Sequence, residues 1–143
     1  MAAGMTMRLA QLAMTLVLAA VIEAVAAPAE RVLVFTKTAG FHHDSIPVAV
    51  AALRALAERN GLALDHTEDA AAFDGTNLGR YRVVAFANTT GNILDEQQQR
   101  AFEDYLAGGG AYLGLHSAAD TEHDWPWYGA LVGAYFQRHP PGF

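Results

Sequence analysis

Two short segments concentrate side chains able to move protons: Thr38-Ala39-Gly40-Phe41-His42-His43-Asp44-Ser45 and His116-Ser117-Ala118-Ala119-Asp120. Imidazole titrates near neutral pH, so a histidine can give or take a proton, or ligate a metal. Asp120, four residues after His116, can orient that ring or share a metal with it. A third segment, Asn88-Thr89-Thr90-Gly91-Asn92, offers an amide and hydroxyls suited to a polyol. A fourth, Asp124-Trp125-Pro126-Trp127-Tyr128, offers flat indole faces, Trp127 among them, on which a sugar ring can lie. Each has a plainer alternative. Asp44 or Ser45 is the expected cap of a following helix, with His42 exposed beside it. Asn88-Thr89-Thr90 can be a simple turn, His116 a satisfied core histidine, and the indoles a cover for a sheet edge.

The elements that must position these side chains follow from the hydrophobic pattern. Residues 31–36, RVLVFT, are apolar on successive positions, as in a strand buried on both faces. Residues 46–60 read as a helix with Pro47 in its first turn and a stripe of Ile46, Val50, Leu53 and Leu56 or Ala57. Gly61 supplies the left-handed residue that ends it. Further strands are expected at 62–67, 82–88 and 111–115, and a short turn or helix at 77–81. A helix is expected from the Asp95 cap, with Gln98 at its third position, to Ala107, and another over Tyr128–Phe136. This order predicts an α/β fold with a mostly parallel sheet. In such sheets ligands bind outside the carboxyl ends of the strands. The loops carrying His43, Asn88 and His116 all leave those ends, so the three residues are expected to share one crevice.

Composition narrows the function classes. The chain has 143 residues, 52% of them hydrophobic, no cysteine and a formal net charge of −6. No disulfide and no cysteine nucleophile is available. An acidic chain without a Lys/Arg cluster lacks the electrostatic footprint of a nucleic-acid binder. Gly108-Gly109-Gly110 precedes a strand and so fails the context of a dinucleotide loop. No histidine pair has the spacing of a known zinc motif, so metal binding by His43, His116 and Asp120 is the weaker expectation, and no cofactor is assigned. At the N-terminus, Arg8 precedes an apolar run from Leu9 to Ile22, followed by Ala24-Val25-Ala26. That is the order of a secretory signal peptide over 1–26, and the run is short for a membrane span. The domain at 27–143 is therefore expected in the periplasm or outside the cell.

Three stretches together resemble the ThuA-like (trehalose utilisation) family: VLVFTKTAGFHHDSI at 32–46, the run from NTTGNILDEQQQ to GALVGAYF at 88–136, and His139-Pro140. The resemblance implies a class I glutamine amidotransferase-like, flavodoxin-like fold, a three-layer α/β/α arrangement. In that superfamily a strand-to-helix elbow carries a catalytic cysteine. His116 occupies the matching position, so amidotransferase activity is not implied. The resemblance implies a role in the metabolism of trehalose or a related disaccharide or oxidised sugar. His43 and His116 are then the expected acid/base residues, with Asn88, Thr89, Asp120 and Trp127 on a small carbohydrate. The alternatives are a non-catalytic carbohydrate-binding module built on the indoles, or an inactive fragment. Family domains continue past the His-Pro motif. The chain is accordingly expected to hold the N-terminal portion of such a domain, with a sheet edge left uncovered and open to self-association.

Overall fold

The computed structural model describes residues 29–140. The expected signal peptide at 1–26 lies outside the described residues. Four strands form one parallel sheet: β1 (Arg31–Phe35), β2 (Ala63–Thr67), β3 (Val83–Ala87) and β4 (Ala111–Leu115), in the order β2-β1-β3-β4. This is the start of the flavodoxin-type order, which reverses direction between β1 and β3. The connecting helices are α1 (Ile46–Arg59), α2 (Gly75–Leu78), α3 (Glu96–Ala107) and α4 (Pro126–Val132).

The alternation of side chains along each strand divides the core in two. Leu33, Phe35, Val84 and Phe86 face α2, α3 and α4, where they bury Leu78, Phe102 and Tyr128. Val34, Ala85 and Ala87 face α1 and pack against Val50 and Leu53. The result is the expected three-layer α/β/α arrangement. Phe86 is its pivot, with the rings of Phe35, Phe73, Phe102, Tyr112 and Tyr128 all within 5.7 Å of its centroid. On the α1 side the cover does not reach all of β4, and Leu113 there is exposed.

Local details depart from the sequence reading at the start of α1 and along the last helix. Neither Asp44 nor Ser45 caps α1 through its side chain: Ser45 has helical dihedrals (φ −79°, ψ −6°), and its hydroxyl accepts from Asn88 Nδ2 at 2.9 Å. On the same helix Ala57 is the inward residue and Leu56 the outward one. The last helix begins two residues early, at Pro126, and stops at Val132, because Gly133 takes a left-handed conformation (φ +80°). Tyr135 is thereby freed to turn back, and its hydroxyl donates to the carbonyl of Glu122 at 2.8 Å. By contrast, α3 opens with the expected capping box, Asp95 and Gln98 each bonding the other's backbone N–H at 2.9 Å.

Candidate functional site

The carboxyl ends of β1, β3 and β4 converge, and their loops are stitched together beyond the sheet. Thr38 pairs with Thr90, and Gly91 with Thr121, as isolated parallel bridges. The carbonyl of Thr90 accepts from Ala39 N–H at 2.8 Å, and that of Asp120 accepts from Gly91 N–H at 2.9 Å. Gly91 has φ +74°, and a Cβ there would lie 3.0 Å from Gly40 N, so only glycine permits this approach.

Three non-glycine residues in these loops have positive φ: Asn88 (58°), His116 (54°) and Glu122 (57°). Such backbone costs an L-residue on the order of 1–2 kcal/mol and persists only where its surroundings hold it. His116 follows directly on β4 and opens a 3-10 turn, His116–Asp120, so it is the tip of a strand-to-helix elbow. The elbow is fixed from below. Ser117 and Ala118 are buried, and the carbonyl of Ala118 accepts from Tyr128 Oη at 2.8 Å. Tyr128 Oη also meets Tyr112 Oη at 2.7 Å. Burial pushes the Tyr112 phenol up to about 12 and that of Tyr128 higher still, so both stay protonated and serve as hydrogen-bonding struts.

The imidazole of His43 lies edge-on to that of His116, with centroids 4.6 Å apart. Phe41 in turn lies edge-on to His43 at 4.8 Å. These residues border a cavity of about 610 Å³ together with Asp120, Phe136 and His139. Its size suits a small-molecule ligand. Desolvation lowers the His43 pKa below the ordinary imidazole value, the neighbouring His116 lowers it further, and Asp120 opposes both.

The remaining expected site residues are distributed differently. Asn88 is buried, and its amide is engaged by Ser45, so it holds the loop after β1 to the end of β3. Thr89 is fully buried, with its hydroxyl on that of Thr121 at 2.8 Å; it is a strut between loops and has no surface for a ligand. Asp120 does border the cavity, yet it is oriented by His123, whose Nε2 lies 2.9 Å from Oδ1. Trp127 stacks on Trp125 at 5.0 Å and meets Phe102 edge-on, on the α3 side of the sheet and outside the cavity. Trp125 is buried in the core and Trp127 is half-buried against it, so neither indole borders the cavity. Among the described residues no group of three or more His, Asp or Glu side chains is arranged to hold a metal, so His43, His116 and Asp120 do not form a ready-made ligand set.

Two features were missed in the sequence. Glu122 is buried, its Oε1 accepting from the N–H groups of Ile93 and Leu94 at 2.7 and 2.8 Å and its Oε2 from Gln99 at 2.8 Å. It sits in a polar run, ADTEHD, that reads as solvated loop, and nothing in a single sequence marks it as internal. His123 also lacked a sequence signal, because its partner Tyr135 (ring centroids 4.5 Å) was assigned to a helix that ends before it.

No curated protein matches the chain. A solved structure that does resemble it is that of a thua-like protein from Bacteroides uniformis, with 25% identity and a TM-score of 0.60. The match covers 83% of the present chain and 51% of that protein, so the chain spans about half the length of this relative. The family model described as ThuA, trehalose utilisation, matches residues 31–142. With all four strands, the His43 loop and the His116 elbow inside that match, the chain belongs to the ThuA family.

Proposed function

We propose that the crevice is the reaction site of a sugar-active enzyme, in which His43 and His116 act as an acid/base pair on a neutral sugar of the trehalose type. The observation that carries this reading is the edge-on contact of the two imidazoles at 4.6 Å, with His116 held at the tip of an elbow. Two cationic rings at that separation repel, which favours a state with one neutral member. Desolvation and the neighbouring imidazole lower the proton affinity of His43, so the base role is given to it. His43 takes a proton from a sugar hydroxyl and His116, facing it, returns one to a sugar oxygen, so that the protons balance across the pair. Asp120, held by His123, accepts a sugar hydroxyl and balances charge on His43. Beside the elbow, the buried Ser117 hydroxyl has no partner among the described residues, and a small shift of the turn would let it donate to a substrate oxygen.

The test is product analysis by NMR after incubating the full chain with trehalose, related disaccharides and their oxidised derivatives. His43→Ala and His116→Ala each abolish conversion if the pair is the acid/base couple. Conversion that survives both substitutions rejects it.

The family match supports a link to trehalose or a related sugar. The leader pattern of residues 1–26 supports an exported protein, secreted or periplasmic. Mass spectrometry of the mature chain would then find Ala27 at its N-terminus; an intact Met1 sinks the export reading. No helix of the described residues is long and apolar enough to cross a membrane.

A further inference from the structure

Trp125 and Trp127 lie outside the cavity, on the α3 side of the sheet, but the crevice has aromatic side chains of its own. We propose that Phe41 and Phe136 form an aromatic subsite that holds the apolar C–H face of an uncharged pyranose beside His43 and His116. This deepens the sugar-active reading and rests on it.

Phe41 is 70% exposed and Phe136 39%, and both border the same cavity. Single exposed apolar side chains are ordinary; two on one concave site, beside titratable groups, are the pattern of a ligand pocket. Neither is carried on a loose segment. The carbonyl of Phe41 accepts from Thr90 Oγ1 at 2.9 Å, and the preceding N–H groups of Ala39 and Gly40 donate to the Thr90 carbonyl. Thr90 is itself buried, so the position of Phe41 is set from inside the fold. On the other element, Phe136 N–H donates to the carbonyl of Ala119 at 2.8 Å, which ties it to the loop bearing His116 and Asp120.

The chemistry of the lining defines the ligand. An aromatic face attracts polarised C–H groups and gains by excluding water from them. A pyranose has such a face, with hydroxyls around its edge. The edge-on contact between Phe41 and His43 means that a ring lying on Phe41 has its hydroxyls within reach of the imidazole pair. Among the described residues the cavity lining carries the carboxylate of Asp120 and three imidazoles, and no lysine or arginine. A phosphorylated or carboxylated sugar would therefore meet the Asp120 carboxylate without the permanently charged lysine or arginine partner that would offset it, the imidazoles of the lining being the acid/base groups.

Calorimetric titration of the full chain with trehalose, glucose and glucose 6-phosphate tests this. Trehalose and glucose should bind, and glucose 6-phosphate about tenfold more weakly or not at all. Phe41→Ala and Phe136→Ala should each weaken trehalose about tenfold. Phe41→Leu, which keeps apolar volume without a flat face, should lose a similar amount, and Phe41→Trp should retain binding. Because Phe41 is exposed, its variants should melt within about 2 °C of the parent. Undiminished trehalose affinity in both alanine variants overturns the subsite and leaves the sugar-active reading standing. Tight binding of glucose 6-phosphate overturns the preference for an uncharged ring. Failure of every sugar to bind the parent chain overturns both readings together.

Discussion

His43 and His116 meet edge to face with their ring centroids 4.6 Å apart, although 73 positions separate them in the chain. The contact is made by loops leaving β1 and β4, strands that do not touch, since β3 runs between them. Proton affinity at His43 is thus coupled to a residue on a distant element.

That coupling has a sign that NMR can read. His43 should titrate below the ordinary imidazole value, since desolvation and then His116 lower its pKa. His116→Ala should raise the His43 pKa, and Asp120→Asn should lower it further, because Asp120 opposes the shift. The linked effect on stability follows. Between the depressed folded value and the unfolded value near 6.5, the unfolded chain binds the extra proton. Stability contributed by His43 is therefore present above about pH 6.5, is lost as pH falls through the folded value, and is level below it. Titration of the His43 Cε1–H signal above 6.5 in the parent chain would contradict the geometry.

The elbow predicts an opposition between stability and activity. At φ +54°, His116 carries strain that glycine would relieve. His116→Gly should therefore be more stable than His116→Ala by about 1 kcal/mol while being equally inactive. Paired thermal melts measure the difference, and equal melting temperatures would argue against a strained elbow.

Glu122 predicts the largest loss of stability among the loop residues. Glu122→Ala leaves the buried N–H groups of Ile93 and Leu94 and the amide of Gln99 without their acceptor, and should cost about 3 kcal/mol or more in urea unfolding. Glu122→Gln keeps an oxygen for the two backbone donors, and a flipped Gln99 amide can serve its new NH2, so its cost should be about half. Equal costs would mean that charge, and not hydrogen bonding, is what the site requires.

The edge of β4 predicts self-association. Its outer backbone groups have no strand partner among the described residues, and Leu113 beside them is 42% exposed. Leu113→Lys should reduce concentration-dependent association in sedimentation velocity while changing stability by no more than about 0.5 kcal/mol. Association unchanged by the lysine would locate the contact elsewhere.

The layered fold was legible because its strands announce themselves. VLVF after Arg31 and VVAFA are apolar on every position, a β-branched and aromatic pattern that suits strands covered on both faces, and Asp95 with Gln98 marked a helix start. From that order the approach of the His43 loop to the His116 elbow followed, whereas Asn88, expected beside them, is buried and outside the cavity lining. What failed was the assignment of side chains to either side of a loop backbone. Asn88, Thr89 and Ser45 have ligand-like chemistry, but their hydrogen bonds go to one another's loops. Strand alternation does not extend through residues with positive φ, so the pattern gave no way to tell that Thr89 turns inward. The indoles failed for a related reason. Trp125 and Trp127 surround Pro126 at a helix start, and the packing of that helix on α3, not their chemistry, decides what they face.

The chain has two tryptophans, and both belong to the stack against Phe102, with Trp125 Nε1 donating to Glu103. Intrinsic fluorescence is therefore an optical probe of how α4 docks on α3, and the stacked indoles at 5.0 Å are close enough for exciton coupling in circular dichroism. A ligand seated beside His43 would leave both signals nearly silent. A spectroscopic screen that relied on tryptophan quenching would score a working crevice as empty.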